Sequence, residues 1–392
     1  MPWLFSLDAA SAGGREPILA AMSEASLGGS GSEAPPRRAG PGARWLAVLA
    51  MLLSLTGTLV VLELALRIQR ASLFALPTPA AGVRMLGELY PGSHDPRLGF
   101  VPTPGDAPRN VWGTTVTITA EGLRSNGAGP RPEGAPILAV GDSFTFGDEV
   151  SDSETWPAQL ERLVGRPVLN GGVFGYGLDQ ITLRSEALLE RFPAADTLIV
   201  SLIPDDVNRC EYAYRYAWKP YFEVEGDALA LRNVPVPQPH RGPPEEALWR
   251  RAIRWSFLAD LVMRRLDPDA WLLPDSVRVH RQGMAVARLL VDRLADQAER
   301  RGHRLLLMLQ WHPDWDGRPA SAVLDRAAER GVEVLRVEPL LLADSRDSED
   351  ARRFFHLTKP PDGVGHMTAL GNARVARYLA DRLASPAEPV GE

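Results

Sequence analysis

Cysteine is nearly absent from this sequence, since Cys210 is the only one in 392 residues. A single cysteine excludes an internal disulfide and any zinc site built from several cysteines, although it does not fix the compartment. An excess of basic residues is missing too: 43 Lys and Arg stand against 49 Asp and Glu, and the formal net charge is −6. Without a basic surface, nucleic acid is not expected as a partner.

The sequence also has no internal repeat, and its composition is that of a globular protein. Hydrophobic residues make up 45% of the chain and charged residues 23%, which is enough for a full-sized core and one accessory region. The 35 glycines and 34 prolines predict many loops. The recurring apolar runs argue against disorder throughout.

The first 66 residues predict a tail followed by a membrane anchor. Residues 1–44 contain Gly/Ser-rich and Pro/Arg-rich stretches without apolar periodicity, so a disordered tail is predicted. Residues 45–66 are predominantly apolar and uncharged except for Glu63, and about 20 such residues span a bilayer. We therefore predict a transmembrane helix. The alternative, a cleaved signal peptide, is disfavoured because the apolar part is long and no small-x-small site precedes Arg67.

The charges that flank this helix predict its orientation. Arg37, Arg38 and Arg44 precede it, whereas Arg67 and Arg70 follow it. This bias in basic residues favours an amino terminus inside the cytoplasm. The sequence thus predicts a single-pass protein of the cell (inner) membrane whose large domain is periplasmic or otherwise extracytoplasmic.

Beyond residue 130, short apolar runs alternate with stretches at helical spacing. Predicted strands cover 137–140, 167–169, 197–203, 303–309 and 332–335, and predicted helices cover 156–163, 177–192, 284–301, 320–330 and 368–383. Strands separated by long helices imply a parallel sheet with helices on both faces. We predict a three-layer, doubly wound α/β domain over 131–385, followed by a short tail at 386–392.

Residues 211–283 interrupt this alternation and predict an insertion. Alternating residues around a Gly-Asp turn predict a β hairpin over 219–232. A helix over 245–266 carries Trp249 and Trp255. We expect this aromatic helix to pack in the core; a lid or a platform for an acyl chain is the alternative.

The tripeptide Gly141-Asp142-Ser143 follows the buried strand 137–140 and precedes a helical stretch. In open α/β sheets, ligands bind at the carboxyl ends of the strands, where turns and helix starts leave backbone N–H groups free to hold an anion. The block resembles the first block of the SGNH (GDSL-type) hydrolases, whose nucleophile is the serine of Gly-Asp-Ser. Ser143 is that serine by resemblance. The other serine-hydrolase motif, Gly-x-Ser-x-Gly, fails because Thr145 replaces its second glycine.

A lead-in over 67–130 precedes this block and is predicted to be loop-rich with a short β hairpin. Its β-branched stretch 114–120 predicts a strand. The stretches 95–100 and 122–125 are similar to the lead-in of membrane-anchored members of the same family. A surface hairpin packed on the sheet edge is the equally weighted alternative.

The resemblance also implies a base and its orienting acid near the carboxyl terminus. His366 lies in a loop just before the last predicted helix, and Asp362 precedes it on the same loop. The family usually spaces this pair Asp-x-x-His, whereas three residues intervene here, two of them glycines that let the loop adapt. His312, which follows a strand, is the rival base. His356 and His303 are weaker candidates.

One of the residues that the resemblance implies for the oxyanion site is replaced in this sequence. By spacing from Asn170, Gly175 is expected to offer its backbone N–H together with that of Ser143. The family also uses an asparagine at the end of the central strand, but Asp205 stands there. An ionised carboxylate only accepts hydrogen bonds, and loss of one oxyanion donor typically costs roughly 10²–10³ in turnover.

Three explanations for this substitution stay open. The first is that burial keeps Asp205 protonated, as it can keep carboxyls in apolar sites. The second is that Asn208 supplies the amide instead. The third is that the protein has lost efficient hydrolysis and keeps the cleft only for binding a ligand. If the charge is a handicap, Asp205→Asn should be faster.

Taken together, the resemblance implies a membrane-tethered SGNH/flavodoxin-like serine esterase. Its triad would be Ser143, His366 and Asp362, without a cofactor or a metal, acting on a small-molecule or polysaccharide acyl ester, with O-acetyl groups as the class that the family suggests. One alternative is a polysaccharide O-acetyltransferase that uses the same serine. Another is a non-catalytic carbohydrate-binding or assembly protein. A metal-dependent phosphoesterase fits poorly, because Asp142, Asp205 and Asp206 lack a matching set of histidines.

Overall fold

A computed structural model of the chain describes residues 41–69, 90–106, 108–111, 113–238, 248–266, 271, 276–356 and 365–384. The chain forms two compact units. The first combines Met1–Pro77 with Arg254–Val262, and the second combines Thr78–Ile253 with Met263–Glu392. Most of the predicted lead-in therefore belongs to the same unit as the predicted α/β domain.

The first unit is built on helix α1 (Pro41–Gln69). Within the described residues, the stretch Arg44–Gln69 is the one helix long and apolar enough to cross a membrane, with a mean hydropathy of 2.3. Near its end, the Glu63 carboxylate accepts hydrogen bonds from the Ser256 hydroxyl (2.8 Å) and the backbone N–H of Phe257 (3.0 Å). An acidic side chain of α1 thus caps the start of a second helix in this unit.

The second unit is organised around five parallel strands. They are β1 (Ile137–Val140), β2 (Val168–Asn170), β3 (Thr197–Leu202), β4 (Arg304–Leu309) and β5 (Glu333–Arg336). Their spatial order is β2-β1-β3-β4-β5, with parallel register throughout. This is the order of flavodoxin-like doubly wound sheets, so the predicted α/β fold is confirmed.

Helices cover both faces of this sheet because both faces of its strands are apolar. The helices after α1 are α2 (Ser143–Phe146), α3 (Trp156–Val164), α4 (Leu178–Arg191), α5 (Pro204–Arg209), α6 (Leu248–Ile253), α7 (Phe257–Leu266), α8 (Gly283–Arg301), α9 (Arg318–Glu329), α10 (Val337–Ala343) and α11 (Ala369–Ala384). Leu138 and Val140 of β1 point into a core with α4, α8 and α9. Ile137 and Ala139 point into a second core with α3, α10 and α11.

Short antiparallel strands lie outside the parallel sheet. Two hairpins in the lead-in pair Gly92–Asp95 with Gly99–Pro102 and Arg109–Val111 with Thr114–Val116. The predicted strand 114–120 is therefore shorter than expected. The predicted hairpin of the insertion is confirmed, with Tyr221–Glu225 paired to Ala228–Arg232, and a fourth small sheet joins Tyr212–Arg215, Ala217–Trp218 and Val277–Arg278.

The prediction of a single core-packed helix over 245–266 is wrong. The described part of this stretch forms two helices, α6 and α7, and the side chains of Trp249 and Trp255 are 47% and 55% exposed. Phe257, by contrast, is buried. The break falls where the Ser256 hydroxyl and the distant Glu63 carboxylate satisfy the first N–H groups of α7. Helical spacing in the sequence carries no signal for a cap that comes from another segment.

Candidate active site

Ser143 lies at the carboxyl end of β1, at the first position of the short helix α2. The Asp142 side chain caps this helix by accepting a hydrogen bond from the Phe144 N–H (3.0 Å). Gly141 makes the tight entry possible, because a Cβ there would lie 2.6 Å from the Ser201 carbonyl oxygen of β3. The strand-to-helix turn thereby leaves the Ser143 N–H without an acceptor among the described residues, as an oxyanion donor requires.

His366 is within hydrogen-bond distance of this serine. Its Nε2 lies 2.8 Å from the Ser143 Oγ, across 223 residues of chain. The segment that carries His366 is fixed by backbone pairing, since the His356 N–H donates to the His366 carbonyl and Phe355 pairs with Met367. A serine hydroxyl and an imidazole in this geometry are the nucleophile and the base of acyl-transfer sites. The catalytic role of the pair stays a prediction, which the experiments below test.

The acid that faces His366 Nδ1 is Glu149, which the sequence did not single out. One oxygen of its carboxylate accepts the His366 backbone N–H (2.9 Å) and lies 3.2 Å from His366 Nδ1. Asp362, the acid that the resemblance implies, lies outside the described residues. Among those that are described, Glu149 occupies the orienting position of a Ser-His-acid arrangement.

The lead-in supports the loop that carries Glu149. Arg124 is fully buried and donates to the Val150 carbonyl (2.9 Å), the Gly147 carbonyl (3.3 Å) and the Asp152 carboxylate (2.8 Å). Glu149 itself has a φ of 66°, which is uncommon for a residue with a side chain. A buried guanidinium that binds carbonyls on both sides of Glu149 stabilises this conformation. The segment 122–125 therefore both pairs with the edge strand, at Asn170, and supports the loop that carries Glu149.

A second carboxyl group, Asp148, lies on the other side of the imidazole. It is buried, accepts the Tyr90 hydroxyl, and lies 3.6 Å from His366 Nε2. Burial raises the pKa of Asp148 to about 7. Burial also disfavours the His366 imidazolium, but the charges of Asp148 and Glu149 outweigh it, so the pKa of His366 is raised. The acids thus stabilise the imidazolium that forms when His366 takes a proton.

The structure places the predicted oxyanion residues in different surroundings. Gly175 has a φ of 68°, and a Cβ there would lie 2.8 Å from the ring of Tyr216, so only glycine fits this loop. Its donor role stays a prediction. Asn208 is exposed on α5, whereas Asp206 and Arg209 beside it are buried. An exposed amide is poorly suited to a site that works by excluding water.

Asp205 forms ion pairs instead of standing protonated. Its carboxylate lies 2.7 Å from Arg215 Nη2 and 3.0 Å from Arg209 Nε. Burial opposes ionisation of this group, but the two guanidinium groups outweigh burial, so the pKa of Asp205 is lowered. The explanation that burial keeps Asp205 protonated is therefore wrong.

His312, the rival base, has no contact with Ser143 among the described residues. Its ring stacks on Trp315 at 4.8 Å, and its Nδ1 accepts the Asp314 N–H (3.1 Å). Burial lowers the pKa of His312. His312 belongs to an aromatic cluster that reaches the site through Phe144, whose ring lies 5.2 Å from Trp315 and 5.1 Å from the ring of His366.

No family model matches the chain, and no curated protein matches it either. Among solved structures, it is similar to a G-D-S-L family protein from Desulfitobacterium hafniense DCB-2 (12% identity, 63% of this chain and 99% of that chain, TM-score 0.36). It is similar to a lipolytic G-D-S-L family member from Veillonella parvula DSM 2008 (12%, 64% and 99%, TM-score 0.37). A third is a carbohydrate esterase family 2 enzyme with a carbohydrate-binding domain from Corynascus thermopiles (Myceliophthora fergusii) (12%, 66% and 68%, TM-score 0.32).

The first two structures belong to the family that the Gly141-Asp142-Ser143 block resembles. At 12% identity and these TM-scores the likeness carries no argument about chemistry. The contacts of Ser143, His366 and Glu149 are the features of this chain that bear on its function.

Proposed function

We propose that this protein is a serine esterase that uses Ser143 as nucleophile, His366 as general base and acid, and Glu149 to orient His366. The observation that carries the proposal is the 2.8 Å distance between Ser143 Oγ and His366 Nε2. The contact of Glu149 with Nδ1 on the far side of the ring supports it. The arrangement matches the Ser-His-acid constellation that recurs on unrelated folds.

The chemistry is acyl transfer in two halves. Ser143 Oγ attacks the ester carbonyl carbon while His366 Nε2 takes the hydroxyl proton, and the carbonyl oxygen becomes an oxyanion. The bond from carbon to the leaving alcohol oxygen then breaks, and His366 gives its proton to that oxygen. In the second half, water attacks the acyl carbon while His366 takes a proton from it. The bond from that carbon to Ser143 Oγ then breaks, and Oγ takes the proton back from His366.

The side chains beside the serine favour an uncharged acyl group. Phe144 follows the nucleophile, and its ring lies beside His366 and the partly buried Trp315. These rings form an apolar wall, which favours an acyl chain over a charged group. O-acetyl esters, the class that the family resemblance suggests, are the proposed substrates.

Covalent labelling tests this proposal most directly. The detergent-solubilised full chain should react with a fluorophosphonate probe, because the probe needs a serine activated by a base. Ser143→Ala should abolish labelling. Ser153→Ala, which removes an exposed serine close by in sequence, should label like the wild type. Equal labelling of Ser143→Ala and the wild type would show that another residue is the nucleophile.

We also propose that α1 anchors the chain and that its large unit is extracytoplasmic. The length and hydropathy of Arg44–Gln69 support the anchor, and the flanking arginines support the orientation. A protease added to intact spheroplasts should digest the large unit and leave a membrane-protected fragment that contains α1. Full protection in intact spheroplasts, with digestion only after lysis, would mean the opposite orientation.

A further inference from the structure

Asp205 stands at the position where the family resemblance implies a hydrogen-bond donor for the oxyanion. β3 is the neighbour of β1 in the sheet, and α5 begins directly after it, with Asp205 in its first turn. Ser143 follows β1 at the same, carboxyl edge. Because Asp205 is ion-paired with two arginines, it accepts hydrogen bonds and cannot donate one. Asp205 itself therefore cannot supply the donor that the resemblance implies at this position.

Arg215 is one of the two arginines that pair with Asp205. Its Nη2 and Nη1 donate to the two oxygens of Asp205 at 2.7 and 3.3 Å. Its side chain is 10% exposed, and its Nε has no hydrogen-bond partner among the described residues. A guanidinium has five N–H donors in a fixed fork, so Nη1 and Nη2 each keep a second N–H beside the one given to Asp205, whereas Nε is buried.

Arg209 is not equivalent to Arg215, because its charge is already engaged. Arg209 Nη1 donates to Asp206 (2.7 Å) and to the Tyr176 carbonyl (2.9 Å), and it lies 3.5 Å from Asp142. This guanidinium therefore balances several buried carboxylates. Arg215 has one carboxylate partner within the described residues.

Tyr216, the residue after Arg215, packs against the loop that contains Gly175. Tyr216 has a φ of 67°, which is strained for a residue with a side chain. Its ring leaves no space for a Cβ on Gly175, with 2.8 Å to Tyr216 Cδ2. Arg215 thus contacts Asp205, and Tyr216 contacts Gly175. These are the two positions at which the resemblance implies oxyanion donors beside Ser143.

We propose that Arg215 is an oxyanion donor of this site and that Asp205 positions it, so that a carboxylate–guanidinium pair takes the place of an asparagine amide. The inference rests on the proposed esterase function. As the carbonyl oxygen gains negative charge, the guanidinium stabilises it more strongly than the neutral ester, because hydrogen bonds between ionised partners are stronger than neutral ones. Its contribution therefore belongs to kcat rather than to KM.

Hydrolysis of 4-nitrophenyl acetate by the full chain tests this role. Arg215→Gln should lower kcat by roughly 10²–10³, the usual effect of losing one oxyanion donor, with KM nearly unchanged. Added guanidinium ion should restore part of the activity of Arg215→Ala, which a purely structural role would not allow. Arg293→Gln, which breaks another bidentate arginine–carboxylate pair, with Glu186, should keep the wild-type kcat.

Asp205→Asn is the second variant, and it decides the question if the Arg215 variants do not fold. Because Asn cannot hold the guanidinium as firmly, kcat should fall, the reverse of the gain expected if the charge only repelled the oxyanion. An unchanged kcat in Arg215→Gln, an effect confined to KM, or a faster Asp205→Asn would overturn the proposal. Failure of the esterase function looks different, since the wild type itself would then neither hydrolyse the ester nor take up the fluorophosphonate label.

Discussion

Replacing His366 with alanine is expected to lower kcat for ester hydrolysis by about 10⁶, and Ser143→Ala by the same amount. The two side chains act as one unit, since the hydroxyl is a poor nucleophile unless Nε2, 2.8 Å away, takes its proton. The double variant should therefore be no slower than either single one. Initial rates with 4-nitrophenyl acetate, measured at high enzyme concentration, give all three values.

Two histidines serve as controls for this experiment. His280 contacts the Phe222 carbonyl in the insertion, and His280→Ala should keep the wild-type kcat. His312→Ala removes the rival base, and we expect a far smaller loss than from His366→Ala. A loss of equal size in His312→Ala, or a double variant in which the two single losses multiply, would contradict the Ser143–His366 unit.

Replacing Glu149 with glutamine is expected to lower kcat on the order of 10⁴, the effect of neutralising the orienting acid in other serine hydrolases. Glutamine keeps the shape of the side chain, but its amide cannot stabilise the imidazolium as a carboxylate does. It can also face Nδ1 with its NH₂ group and so favour the wrong tautomer. Asp362→Asn, which alters the acid that the resemblance implies, should retain most of the activity. The reverse pattern would return the orienting role to Asp362.

The pH profile separates orientation of His366 from support of the fold. His366 accepts a proton only when neutral, so kcat/KM falls as the pH drops through its pKa. That pKa is raised, because the charges of Asp148 and Glu149 outweigh burial. Glu149→Gln removes one of these negative charges, so the acidic limb should move to lower pH. If Glu149 only supported the loop, the rate would fall without this shift.

The outline of the α/β unit could be predicted because it depends on local patterns. An apolar run such as Ile137–Val140 is buried on both faces, as is typical of a parallel sheet with helices on each side. Helix α8 (Gly283–Arg301) was predictable for the same reason, because its apolar residues recur at helical spacing and lie on one side. The position of Ser143 follows as well, because the end of β1 and the start of α2 are both marked in the sequence.

The acids around His366 could not be assigned in this way. Asp148 and Glu149 follow α2 within a stretch in which every residue from Gly141 to Val150 is buried. Two acidic residues so close to a predicted nucleophile are the one signal that pointed to them. Which acid faces the imidazole depends on the left-handed conformation of Glu149 and on Arg124, which binds the loop from the lead-in.

By itself, the sequence determined the layered α/β unit, an apolar helix long enough to span a membrane, and a serine at a strand-to-helix turn. Each of these features depends on residues that are neighbours along the chain, so the pattern of their spacing predicts it without a structure. Only the tertiary structure decided that Glu149 contacts His366, that Asp205 holds Arg215, and that Glu63 divides the aromatic stretch into two helices. The Glu149 and Glu63 contacts join residues 217 and 193 apart in sequence, whereas Asp205 and Arg215 are 10 apart and meet across a turn. The strength of all three depends on burial and charge that arise only when the chain has folded.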